Sequence, residues 1–265
     1  MEKIISQLNG LAEYFEKLAE NTTLDDAETY NCPICRDCGY IIENGCARPC
    51  ICQPANTGGK SLDIPHLQKM RFANFDVRLY PDHIRTERGK SYRQLAKEAL
   101  VAAMAFTQSI IKGQNRPGLI FEGDVGSGKT FLAAAIANEL LDNGIDIDFV
   151  VVPEFLDELR HNIHSNDDCG DDMIARARNT RVLILDDMGA HNFSPWVQNI
   201  LFTIINYRLN HELTIIITTN LSISEMIDAV GERITSRMME TGTNIKLFTD
   251  SDIRLKLFKD GRNNW

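Results

Sequence analysis

No stretch of this sequence approaches the roughly 18 consecutive apolar residues that a membrane span needs. Its first residues mix Glu2 and Lys3 with Ile4 and Ile5 rather than forming an apolar leader. Both absences predict a cytoplasmic, reducing setting with no membrane partner. An excess of positive charge is missing too: 28 Lys and Arg stand against 37 Asp and Glu, a net of −9. That balance excludes broad, charge-driven coating of nucleic acid and leaves only local basic patches for such contacts. Internal repeats and low-complexity tracts are absent. Cysteine is scarce outside one window, since six of the seven lie between Cys32 and Cys52 and Cys169 stands alone. In a reducing compartment such clustering favours metal over disulfides.

What is present is ordinary for a globular chain: 265 residues, 43% of them apolar and 25% charged, enough for one large or two modest domains. Ile4, Leu8, Leu11, Phe15 and Leu18 recur at steps of four and three, the seam of a short amphipathic helix. Two heptads cannot stand alone, so this stripe must pack on its own domain or on a partner. A polar stretch, Asn21 to Tyr30, precedes the cysteines, and Gln53 to Lys60 is rich in Pro, Asn and Gly. The expected organisation is therefore residues 1–54 as a helix plus cysteine module, 55–63 as a linker and 64–265 as a second domain.

In that second part, Glu87 to Lys112 has helical periodicity, with Leu95, Ala99, Ala102, Ala103 and Phe106 on one face and Gly113 as a stop. Strand-like runs follow at Gly118–Phe121, Asp148–Val152, Val182–Leu185, Thr214–Thr218 and Asn244–Leu247. Helical runs fall between them, including Lys129–Asp142, Trp196–Asn210 and Ile223–Val230. Alternation of this kind predicts an α/β fold, a parallel five-stranded sheet flanked by helices.

The run Gly123-Asp124-Val125-Gly126-Ser127-Gly128-Lys129-Thr130 lies between the first of those strands and a helix. Its glycines permit a tight turn that aims successive backbone N–H groups and a helix N-terminus at one anion. Lys129 is suited to the β- and γ-phosphates of ATP and Thr130 to Mg²⁺. The strand Val182–Leu185 ends in Asp186 and Asp187 at the sheet's carboxyl edge, where ligands bind in such folds. Asp186 is assigned to the Mg²⁺ shell and Asp187 to polarising the attacking water. Another buried-type strand ends in Asn220, placed to orient that water. Among the cysteines, Cys32-Pro33-Ile34-Cys35 and Cys50-Ile51-Cys52 form two close pairs that can converge on one tetrahedral Zn²⁺. The expected ligands are Cys32, Cys35, Cys50 and Cys52, with Cys38 or Cys46 able to replace one of them.

The phosphate loop, Leu185-Asp186-Asp187-Met188-Gly189, Thr218-Thr219-Asn220 and Glu232-Arg233-Ile234-Thr235-Ser236-Arg237-Met238, in this order, resemble the AAA+ ATPases, specifically the DnaC/DnaI-type helicase loaders and their relative IstB. The resemblance covers roughly residues 64 to 258. It implies that Arg237, with Arg233 as second candidate, serves as an arginine finger for the neighbouring subunit's ATP, and that Arg254 senses nucleotide within its own subunit. Asp187 stands where many AAA+ enzymes carry Glu, which implies slow, switch-like hydrolysis. Only 18 residues follow Leu247, too few for a helical lid. Asp37-Cys38-Gly39-Tyr40 is similar to the middle of loader zinc modules, implying a small helical zinc domain that docks on the helicase. The implied partners are a hexameric replicative DNA helicase, single-stranded DNA and further copies of this chain in a nucleotide-dependent oligomer, in a bacterial cell with host or phage as the source of the gene. DNA contacts are expected near Phe155–Arg160 and Arg176–Arg181. An IstB-like helper of transposition shares every ATPase motif, and the cysteine module speaks for a loader.

Overall fold

Asn44-Gly45 between two short runs is a hairpin composition. The flanking residues pair accordingly, β1 (Tyr40–Glu43) antiparallel to β2 (Cys46–Pro49) with Tyr40 opposite Pro49. The structure, a computed structural model, describes residues 40–43, 46–49, 62, 64–114, 118–164, 169–189, 193–259 and 261. The chain divides into two units, Met1–Pro54 and Ala55–Trp265. In the first, expected to be helical, the described residues form strand. The amphipathic stripe of residues 4–18 and the zinc candidates Cys32, Cys35, Cys50 and Cys52 lie outside the described residues. Of residues 55–63, expected as a linker, Leu62 alone is described, and it is buried in the core of the second unit.

The second unit holds β3 (Gly118–Gly123), β4 (Ile147–Val151), β5 (Val182–Asp186), β6 (Thr214–Thr219) and β7 (Thr243–Leu247). Their order in the sheet is β4-β5-β6-β3-β7, and every pairing is parallel. Ahead of the sheet come α1 (Pro65–Gln68), two single 3₁₀ turns and α2 (Tyr92–Ile111). Between and after the strands run α3 (Lys129–Asp142), α4 (Val152–His164), α5 (Cys169–Asn179), α6 (Pro195–Asn210), α7 (Ile223–Val230), α8 (Glu232–Glu240) and α9 (Ile253–Lys259).

Strand alternation sorts the apolar residues into two cores. Leu119, Phe121, Ile184, Ile216 and Leu247 face α2, α3 and the segment from Leu62 to Tyr80. Ile120, Leu183, Leu185, Ile215 and Ile217 face α4 to α8. Helix α3, central to the first core, is buried along most of its length. Its Asn138 donates to the Leu67 and Met70 carbonyls, both at 2.8 Å, and so pins the end of α1.

Helix α2 starts five residues later than the expected Glu87. Residues 86–90 close a turn in which Thr86 N–H donates to the Lys90 carbonyl, and Ser91 then caps the helix reciprocally with Gln94. A second polar anchor lies in α6. Arg208 is wholly buried, and its guanidinium donates to the carbonyls of Ala177, Arg178, Thr180, Arg181 and Thr214. One side chain thus ties the end of α5 to the starts of β5 and β6. Burial lowers its pKa to about 10, which leaves it charged at neutral pH.

Candidate nucleotide site

β3 ends at the carboxyl edge between β6 and β7, and the chain turns there into α3. The turn is one that only glycine completes. Gly128, the N-cap of α3, has φ +93°, and a Cβ on Gly126, at φ +68°, would fall 2.1 Å from the Asp252 carboxyl carbon. Three bonds brace the loop from outside it. Tyr80 Oη donates to the Ser127 carbonyl at 2.6 Å, Thr249 N–H to Asp124 Oδ2 at 2.9 Å, and Ile253 N–H to the Gly126 carbonyl at 3.0 Å. Burial pushes the Tyr80 phenol pKa up, so it remains a donor. The cradle therefore depends on residues some 50 positions before it and 120 after it.

Lys129 is nearly buried, and its Nζ donates to the carbonyls of Gly123 at 2.9 Å and Asp124 at 2.7 Å. Desolvation lowers its pKa, and the charges of Asp124, Asp186 and Asp187 oppose that shift. Thr130 Oγ1 donates to both carboxylate oxygens of Asp186, at 2.9 and 3.1 Å. Asp186 is buried, which raises its pKa; hydrogen bonds from Thr218 and Thr130 act against this. Thr218 Oγ1 donates to Asp186 Oδ1 at 2.6 Å and accepts from Asp187 N–H at 3.0 Å. Asp187 itself has φ +60°, a left-handed conformation that is costly for a non-glycine residue and typical of functional positions.

These groups line one end of a cavity of about 850 Å³, together with Gly126, Gly128, Asn220 and Arg254. Ile64, Leu67, Met70, Phe75 and Leu257 line it too, as do the polar His66, Lys69, Asp76 and Glu154. A cation beside the glycine turn, with apolar side chains elsewhere in the same cavity, suits a polyphosphate joined to a flat base. Among the described residues no group of three His, Cys, Asp or Glu gathers around a metal. Thr130 and Asp186 nevertheless supply the two hard oxygens that Mg²⁺ takes from a protein when phosphate and water complete its shell.

The structure thus brings Lys129, Thr130, Asp186, Asp187, Asn220 and Arg254 to one cavity. Arg254 is held by Asp252, with its Nη2 2.9 Å from Oδ2. Arg237 stands apart on α8, partly exposed and 2.9 Å from Glu240 Oε2, and does not line that cavity. Arg233 stacks over Phe202 at 3.7 Å. Of the expected DNA segments, Phe155, Leu156 and Leu159 are core residues and cannot stack on bases. Arg160 lies over Trp196, Arg176 pairs with Asp148, Arg178 lies over Tyr207, and Arg181 donates to the Ile110 carbonyl. Sequence reading missed Tyr80 and Thr249, neither of which belongs to a local motif, and the role of Asp252, two residues before Arg254, in holding that arginine. Thr218 was within reach, being on β6 two residues before Asn220.

The hydroxyl of Thr218 joins the two acids. Thr218→Val removes the strongest-placed hydrogen bond to Asp186, so the carboxylate is less favoured and the acid limb of activity moves to higher pH. Mg²⁺ affinity should fall roughly tenfold to a hundredfold. Thr218→Ser, which keeps the hydroxyl, should restore both. Mg²⁺ titrations of nucleotide binding from pH 5 to 8 measure this, and a Val variant with the parent's profile would rule the coupling out.

Residues 77–241, more than half of the chain, match the family model described as IstB-like ATP binding protein. The replicative helicase loader DnaI of Bacillus subtilis strain 168 is 28% identical over 220 residues, 82% of this chain and 62% of that protein. The replicative helicase loader DnaC of Escherichia coli strain K12 is 28% identical over 124 residues, 47% of this chain and 51% of that protein. The matched part thus spans between half and two thirds of these relatives' lengths. A crystal structure of the DnaC helicase loader aligns with a TM-score of 0.53 at 25% identity, over 66% of this chain and 98% of that one. A crystal structure of DnaI aligns with a TM-score of 0.51 at 28% identity, over 57% of this chain and 85% of that one.

Proposed function

The chain belongs to the family of IstB-like ATP binding proteins, with an AAA+ fold, and we propose that it is an ATP-controlled loader that delivers a hexameric replicative DNA helicase onto single-stranded DNA. The supporting observation is the meeting of Lys129, Thr130 and Asp186 at the polar end of a nucleotide-sized cavity. Likeness to the two loaders supports the choice of cargo.

In this reading Lys129 exchanges its loop carbonyls for the β- and γ-phosphates, while the loop's N–H groups hold the remaining oxygens. Thr130 and Asp186 hold Mg²⁺, which when bound supplies charge neutralisation of the phosphate oxygens. Asn220 orients a water, and Asp187 accepts its proton as the oxygen attacks the γ-phosphorus and the bond to the bridging oxygen breaks. The shorter reach of Asp compared with Glu makes this step slow. Arg254 reads the phosphates within the same copy, and Arg237, turned away from its own cavity, completes the cavity of a neighbour. Hydrolysis then depends on assembly.

Cys32, Cys35, Cys50 and Cys52 would bind one structural Zn²⁺. They flank in sequence the paired strands β1 and β2, which set Tyr40 opposite Pro49. Purified protein should carry about one zinc per chain by elemental analysis. Cys32→Ser with Cys35→Ser should remove it and abolish helicase binding; binding that survives verified metal loss would refute the docking role.

Sedimentation of the full chain with a hexameric replicative helicase should show a complex that forms with ATP and Mg²⁺ and dissociates on hydrolysis in the presence of single-stranded DNA. The family match itself favours one other reading, a helper of transposition. Binding to a transposase, with none to the helicase, would decide for it.

A further inference from the structure

Arg254 reaches the cavity from the first turn of α9, and its side chain is 65% exposed. A long side chain on so short a helix has many conformations, and few of them face the phosphate loop. Asp252, just ahead of α9, narrows that choice. Arg254 Nε donates to Asp252 Oδ1 at 3.1 Å and Nη2 donates to Oδ2 at 2.9 Å, so the carboxylate grips one edge of the guanidinium. The other edge, Nη1 with the second N–H of Nη2, has no hydrogen-bond partner among the described residues. An edge of that shape fits two oxygens of one phosphate.

Asp252 is itself held in place. It caps α9 by accepting from the Arg254 N–H at 2.8 Å. It also abuts the phosphate loop, for a Cβ on Gly126 would fall 2.2 and 2.5 Å from Asp252 Oδ1 and Oδ2, and the adjoining Ile253 N–H donates to the Gly126 carbonyl. A movement of Gly126 therefore passes to Arg254 through a single residue. The Asp252 hydrogen bond raises the Arg254 pKa, burial opposes the rise, and the charge of Asp187 adds to it. The guanidinium thus lies within electrostatic reach of the acid at the end of β5.

We propose that Asp252 is a positioning residue that makes the cavity distinguish ATP from ADP: by holding the Nε edge of Arg254 it presents the free edge to the terminal phosphate, and through Gly126 it ties that presentation to the loop. This rests on the reading of Arg254 as the residue that senses phosphates within its own copy, and it adds the group that aims it. Asp252 does not line the cavity, so it acts through the arginine. ADP lacks the third phosphate and gains little from the aim.

Asp252→Asn separates aiming from capping. Asparagine caps a helix as well as aspartate does and fills the same space beside Gly126, yet it offers neither the charge nor the second acceptor. Titration of the full chain with fluorescent ATP and ADP analogues in Mg²⁺ should show the ATP-to-ADP preference falling about tenfold, with the urea unfolding midpoint unchanged. The ratio is the readout, because loss of a negative charge beside the loop shifts both nucleotides alike. Asp252→Ser, another good cap without the charge, should match it. Arg254→Ala should lose the same preference, and Asp252→Asn added to it should change nothing more. A preference that survives in Asp252→Asn while Arg254→Ala loses it, whatever the midpoint does, overturns the aiming and leaves the sensing arginine in place. Further loss in the combined variant also overturns it, since Asp252 would then act without Arg254. A preference that survives in every variant, or is absent from the parent chain, overturns both roles, and a parent chain that binds neither nucleotide removes the site itself.

Discussion

Lys129→Ala protein is expected to hydrolyse ATP about a thousandfold more slowly than the parent chain and to bind it weakly. The ammonium is the one cation in the loop, buried at the polar end of the cavity, where the low dielectric strengthens its attraction to phosphate. No neighbour replaces it, for Arg254 is engaged by Asp252 and Arg237 points elsewhere. Phosphate release and nucleotide titration measure the two effects. Equal, low release by parent and variant would mean that the cavity is a structural nucleotide site and that the chain is an adaptor.

The same variant reports on the neighbouring copy. Lys129→Ala protein keeps its Arg237, and Arg237→Ala protein keeps its Lys129, so a mixture should regain activity that neither shows alone. Intact sites form wherever an Arg237→Ala cavity meets a Lys129→Ala neighbour. Failure to recover at any mixing ratio would place the finger elsewhere, and Arg233→Ala in the same mixture would test the second arginine.

Arg208→Met is expected to be the most destabilising single change in the second unit, by about 3 to 5 kcal/mol, with a fall of roughly 10 °C in the unfolding midpoint. Methionine fills much of the same volume and cannot donate to the five carbonyls that the guanidinium now serves. Those carbonyls end α5 and open β5 and β6, and the three buried ones, of Ala177, Thr180 and Thr214, would lose a partner that solvent does not replace. Arg78→Met is the control: its side chain is 82% exposed and pairs with Asp76 two residues away, so the change should leave the midpoint where it is in the parent chain. Urea unfolding of both proteins decides, and similar midpoints would show that the buried arginine is dispensable.

Much of this fold could be read along the chain. The phosphate loop is contiguous, since an anion must be met by successive N–H groups, and each sheet strand was legible as an apolar run of the right length. Strand ends moved by a residue or two, and α2 lost its first turn to Ser91, whose hydroxyl competes better as a cap than as a helix interior residue. Asp186, Asp187 and Asn220 line one cavity because the carboxyl ends of parallel strands share one edge.

The remaining features arise from residues far apart in sequence. Phe155, in a segment expected to contact DNA, is buried because α4 lies on the sheet, a fact no local pattern contains. Tyr80, Thr249 and Ile253 brace the loop from flanking segments, and Thr218 links the two acids from a neighbouring strand. Sequence alone thus determined which chemistry is present, because phosphate recognition and strand formation depend on neighbours a few bonds apart. Tertiary structure decided which arginine reaches its own cavity and which acid is bonded to which hydroxyl. Those outcomes depend on distances through space, and strands that meet only after the sheet is complete set them.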